Sequence, residues 1–236
     1  MIKTFTRSLA LMPLLAGFTP AVLAADIDVT LTNLTHGSHF TPLLVSAHDE
    51  STHLFQTGMA ASASLRLMAE CGDISMLSTD LGGADADTIE NPAAGLLAPG
   101  ASTTAMLMTG TDNHHLSLVA MILPTNDGFV GVDSLHIPTT AGSYTYYLNA
   151  YDAGTEANDE LLPGTMCAPG VAGIPAAPGM DGGTGGSGTA MADTNMTVHI
   201  HRGVLGDTNS AGGISDLDST VHRWQNPVAK LVITVK

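Results

Sequence analysis

Basic residues are scarce in this chain. Seven Lys and Arg stand against 22 Asp and Glu, a formal charge of −15, and none of the seven falls between Arg66 and Arg202. A surface of that sign repels nucleic acid and anionic membranes and attracts cations. Aromatic residues make up 4% of the chain, with a single Trp, too few to line a sugar-stacking cleft. The two cysteines, Cys71 and Cys167, form no Cys-x-x-Cys, so thioredoxin-type and structural zinc readings lack support. His-Glu-x-x-His, Gly-x-Ser-x-Gly and the phosphate-cradling Gly-x-x-x-x-Gly-Lys are all missing. A non-enzymatic protein is expected. Beyond the first residues there is no run of ~18 apolar positions of the kind that spans a bilayer, so no membrane span is expected in the mature chain.

What is present begins with an address. Lys3 and Arg7 precede an apolar run from Leu9, which ends in small residues around Val22-Leu23-Ala24. That is the pattern of a secretory signal peptide, expected over residues 1–24, and it places the mature protein, 25–236, in the periplasm or outside the cell. Its removal takes Lys3 and Arg7 away and leaves 5 − 22 = −17. The oxidising compartment permits a Cys71–Cys167 disulfide. The same two residues could equally remain free thiols.

Several mature segments alternate apolar and polar residues, the period of a half-buried strand. Ile27, Val29 and Leu31 share one face of the first. The stretch 115–123, "HLSLVAMIL", is continuously apolar and reads as a central strand covered on both faces. "SYTYYLNAY", "NMTVHIH" and "VAKLVITV" complete the set. Strands parted by Gly-, Pro- and Asn-rich turns predict an all-β sandwich or barrel. One short helix is expected over 60–72, with Ser62 or Ser64 as N-cap and Gly72 as its stop. Residues 78–100 read as loop. Residues 163–193 are dense in Gly, Pro and Ala and read as a long flexible insertion in one domain.

One corner concentrates acid. "YDAGTEANDE" (151–160) places Asp152, Glu156, Asp159 and Glu160 within nine residues with no basic partner between them. Hard oxygen ligands, with no cysteine or paired histidine among them, favour calcium over zinc or copper. Gly154 can take the left-handed conformation that folds Asp152 and Glu156 toward one point. Asp127, near the end of another strand, can meet them at one edge of a sandwich.

Four ordered stretches resemble the spondin domain. They are "VTLTNLTHGSHFTPLLVSAH" (29–48), "LVAMILPTNDGFVGVDSL" (118–135), "YDAGTEANDE" and the closing segment 198–235. The resemblance implies an eight-stranded antiparallel β-sandwich, C2-like, holding calcium (Ca2+) in loops at one end. It implies Asp127, Asp152 and Glu156 as ligands, with Asp133, Asp159 and Glu160 as second-tier candidates. Glu156 replaces the family's usual Asp, and Gly128 stands where animal members have Trp. A role in adhesion or recognition of a protein or glycan at the cell surface is implied with it. The alternative reading is a periplasmic copper- or zinc-handling protein, built on His199 and His201 with Met106, Met108, Met191 and Met196.

Overall fold

A computed structural model of the chain describes residues 24–162, 167, 171, 173–180, 182–190, 192 and 194–236. All of the expected signal peptide except Ala24, and parts of the 163–193 segment, lie outside the described residues.

The described strands are β1 (Asp26–Asn33), β2 (His39–Phe40), β3 (Leu44–His48), β4 (Asp87–Glu90), β5 (Ser102–Met108), β6 (His115–Leu123), β7 (Gly128–His136), β8 (Gly142–Asp152), β9 (His199–Ile200) and β10 (Ala229–Val235). Eight of them follow the path β4-β3-β6-β7-β8-β10-β1-β5, and the two-residue strands β2 and β9 pair with β6 and β8. All ladder pairings are antiparallel.

The strand β8 joins two halves. Gly142 to Leu148 pair with β10, and Asn149 to Asp152 pair with β7. The two halves enclose a core in which Ile27, Val29 and Leu31 of β1 meet Leu231 and Ile233 of β10 and Leu116, Leu118, Ala120 and Ile122 of β6. A strand with period two buries alternate residues on one face, and β1 and β10 do so along their length. The next residues of β6, Val119, Met121 and Leu123, face a second cluster under the helices. The central strand is therefore covered on both faces, as its unbroken apolar sequence predicts.

The helix α1 (Ala63–Cys71) packs on that outer face through Leu65, Met68 and Ala69. Ser62 is its N-cap, accepting a hydrogen bond from Leu65 N at 3.0 Å, and Gly72 ends it at φ 67°. Arg66 pairs with Glu70 one turn on, at 2.6 Å.

The expectation of a single helix, followed by loop from 78, needs correction. A second helix, α2 (Ser75–Gly83), follows at once, and β4 pairs with β3. The helix has no side-chain N-cap, buries only Leu77 and Leu81, and ends in Gly-Gly. Its order comes from docking on α1 and β4, a tertiary contribution that outweighs weak local propensity. "NMTVHIH" also shortens, to His199–Ile200.

A disulfide joins Cys71, at the end of α1, to Cys167, with Cα atoms 5.5 Å apart. Other described residues of the 163–193 segment are fastened as well. Ile174 is buried and its N–H donates to Leu161 O, while Thr189 N donates to Asp159 O and Gly186 N to Asp216 Oδ1.

Candidate functional site

The register of β7 and β8 places Gly128 opposite Asp152. Asp127, one residue before β7, therefore lies beside the end of β8, and Ala153 N donates to its carbonyl at 3.2 Å. The chain arrives through the turn Pro124 to Asp127, which opens with a cis Leu123–Pro124 bond. It leaves through Ala153-Gly154-Thr155.

Gly154 is required here. Its φ is +69°, and an added Cβ would lie 2.6 Å from Thr197 N and 2.8 Å from Met196 C, both main chain. Gly154→Ala is expected to cost roughly 2–3 kcal/mol through strain and displaced backbone, read as a lower urea midpoint. An unchanged midpoint would mean that the 196–197 backbone gives way freely.

Both Asp127 and Asp152 are almost fully buried. Asp127 Oδ2 accepts from Thr155 N (2.7 Å), Thr155 Oγ1 (3.1 Å) and Glu156 N (3.1 Å). Its Oδ1 is buried and has no hydrogen-bond partner among the described residues. Burial first, then the neighbouring Asp152 carboxylate, push the Asp127 carboxyl up to about 7. Asp152 Oδ1 accepts from Gly154 N (2.8 Å) and Oδ2 from Asn158 Nδ2 (2.6 Å).

Glu156 is buried too, but its Oε2 accepts from Gly173 N at 3.1 Å and lies 3.5 Å from Asn126 Nδ2. Burial lifts it to about 7, with Glu70 and Asp127 adding to the rise. Among the described residues no three His, Cys, Asp or Glu side chains surround one point. The corner thus brings Asp127 and Asp152 together and holds Glu156 beside them, turned toward Gly173.

The second-tier acids serve other partners. Asp133 binds His53 Nδ1 and Leu54 N, each at 2.6 Å, farther along β7. Asp159 accepts from Asn126 Nδ2 and Leu161 N. Glu160 accepts from Leu205 N, Gly206 N and Ser215 Oγ, clamping the closing segment.

The reading of the acids overlooked Asn126. Its amide bridges Asp159 and receives Glu160 N at 3.2 Å. Its position beside Asp127, in a Thr-Asn-Asp-Gly turn, was the available signal.

His199 and His201 go different ways. His199 Nδ1 donates to Thr197 O, and its Nε2 lies 3.8 Å from Asp152 Oδ2. His201 Nδ1 accepts from Gly203 N, and its ring packs on Trp224 at 5.2 Å. A Cβ on Gly128 would meet Thr125 Oγ1 at 2.8 Å and His201 Cδ2 at 3.0 Å. Thr125 and His201 thus fill the space beside Gly128, where a larger side chain would otherwise sit. Met106, Met108 and Met196 are exposed, and Met191 lies outside the described residues.

An antiparallel β-sandwich with an acidic loop corner at one pole defines the class of fold. Within it the match is specific. The family model of the spondin N-terminal domain (Spondin_N) matches residues 32–161, more than half of the 236-residue chain, and the chain belongs to that family. The match contains Asp127, Asp152 and Glu156 and stops before the closing segment 198–235. No curated protein matches the chain.

Proposed function

We propose that residues 25–236 form one exported, non-enzymatic recognition module, acting in the periplasm or outside the cell, whose acidic corner binds one Ca2+. Membership of the spondin family supports an extracellular recognition or adhesion role toward a protein or glycan. No helix among the described residues is long and apolar enough to cross a membrane, which is consistent with export.

The observation that carries the calcium reading is the buried Asp127 Oδ1 beside Asp152, unpartnered among the described residues. A buried charge without a partner is costly, and a bound cation removes that cost. Asp127 and Asp152 would hold the ion. Glu156 joins them on release from Gly173, with main-chain carbonyls and water completing the six to eight oxygens calcium takes. The ion supplies charge neutralisation and fixes the two loops against each other.

The test is calcium titration of protein freed of metal, followed by calorimetry and melting temperature. One calcium per chain is expected, with stabilisation of about 2.7 kcal/mol at 100 times Kd. Asp152→Asn keeps an acceptor for Asn158 and removes the charge, so it is expected to weaken calcium at least tenfold. A wild-type melting curve indifferent to both calcium and chelator sinks the proposal.

A further inference from the structure

Three neighbouring strands bring a histidine to the same level. His48 of β3 is opposite His115 of β6, and His115 is opposite His136 of β7. Directly opposed residues in antiparallel strands point to the same face, with Cβ atoms about 4.5–5.5 Å apart. The row sits where β6 begins, whereas the acidic corner lies past its end. Nine residues of strand separate the two by roughly 26 Å.

The three rings are not equivalent. Both nitrogens of His48 are engaged, Nδ1 with Asp49 O and Nε2 with Ser117 Oγ, each at 2.7 Å. Its ring centre is 6.5 Å from that of His115. His115 and His136 have ring centres 5.4 Å apart with planes at 83°. His115 Nδ1 is buried and has no hydrogen-bond partner among the described residues. His136 is exposed at the strand end.

The separation of that pair matches a chelate. Imidazole nitrogen bonds zinc at about 2.0–2.1 Å, and about 1.1 Å more reaches the ring centre, so a tetrahedral angle sets two ring centres about 5.2 Å apart. We infer that His115 and His136 form a surface site for a borderline divalent transition metal, zinc first, with water in the remaining positions. No third His, Cys, Asp or Glu joins them among the described residues, so the site is a two-ligand chelate. Burial, then His136 and His48, hold His115 below its ordinary 6.5. The ring is therefore neutral near pH 7, the form that binds metal. Glu50 lies close enough to oppose that shift and adds negative charge near the ion.

The test is zinc calorimetry on the mature protein at pH 7.5 with calcium saturating, so that the acidic corner is blocked. Wild type is expected to bind one zinc per chain. His136→Gln, an exposed change that leaves the core untouched, is expected to weaken zinc at least tenfold, with its melting temperature as the folding control. His199→Gln is expected to bind as wild type does. At pH 5.5 wild-type affinity is expected to fall, because protons compete with the metal for imidazole nitrogen. Absence of saturable zinc binding, unchanged affinity in His136→Gln, or loss in His199→Gln instead would each overturn the inference. Calcium binding at the other pole is unaffected by any of these results.

Discussion

In chelator, raising the pH from 5 to 8 is expected to destabilise the protein, and calcium to reverse that trend. Asp127 rises from its ordinary 3.8 to about 7 in the folded state, and Glu156 from 4.5 to about 7. Across that window the folded chain holds more protons than the unfolded one, so stability falls as pH rises. The contribution is complete below the unfolded values and gone above about 7. For Asp127 the part lost between pH 5 and about 7 corresponds to on the order of 3 kcal/mol, with a smaller part from Glu156. Calcium competes with those protons, so the melting-temperature gain it produces is expected to be small at pH 5 and largest at pH 8. Asp127→Asn is expected to flatten the chelator curve, which separates this corner from the general repulsion of a −15 chain. A calcium-induced gain equal at pH 5 and 8 would contradict the assignment.

Replacing both cysteines is expected to cost more than any single change at the corner. The bridge spans 96 residues of sequence, and closing a loop of that size is worth about 4–5 kcal/mol in the chain-entropy model. Cys71→Ser with Cys167→Ser is expected to lower the urea-derived stability by that amount, and reducing gels to shift the wild type alone. Calcium affinity is expected to drop only partly, because the loop-closure contribution acts on the unfolded chain. It drops at all because the segment carrying Cys167 also supplies Gly173 N to Glu156. Equal stability of wild type and double variant would mean that the unfolded chain is already confined without the bridge.

The parts of the fold legible in sequence are those with strong period. The inward residues of β1 and β10, the doubly covered β6, and the ends of α1 at Ser62 and Gly72 all follow from local pattern. Helix α2 and strand β4 were not legible, because α2 is ordered by docking on α1 and β4 rather than by a cap or an apolar period of its own, and β4 by pairing with the distant β3. The acids of 151–160 could be read as a group but not sorted. Which of them face a common point is decided by main-chain donors: Leu205 and Gly206 claim Glu160, Leu161 claims Asp159, and Gly173 claims Glu156. Asp127 was legible as a strand-end acid able to meet the corner, but that it lies against Asp152 in particular is a fact of register. The His115–His136 pair escaped notice for the same reason. Twenty-one positions separate the two in sequence, and only the bulged β6–β7 ladder aligns them.

The seam strand has one more consequence, for orientation. β8 begins at Gly142 opposite Val235 and ends at Asp152, ten residue steps or roughly 33 Å of strand. Ile27 lies opposite Val235 in the next ladder, and Lys236 reaches both Asp26 and Asp28. The first and last described strands therefore emerge together at the pole farthest from the acidic corner. Whether the protein is immobilised on a sensor chip through a tag at residue 25 or at residue 236, the corner points away from the support, and both geometries should give the same binding response.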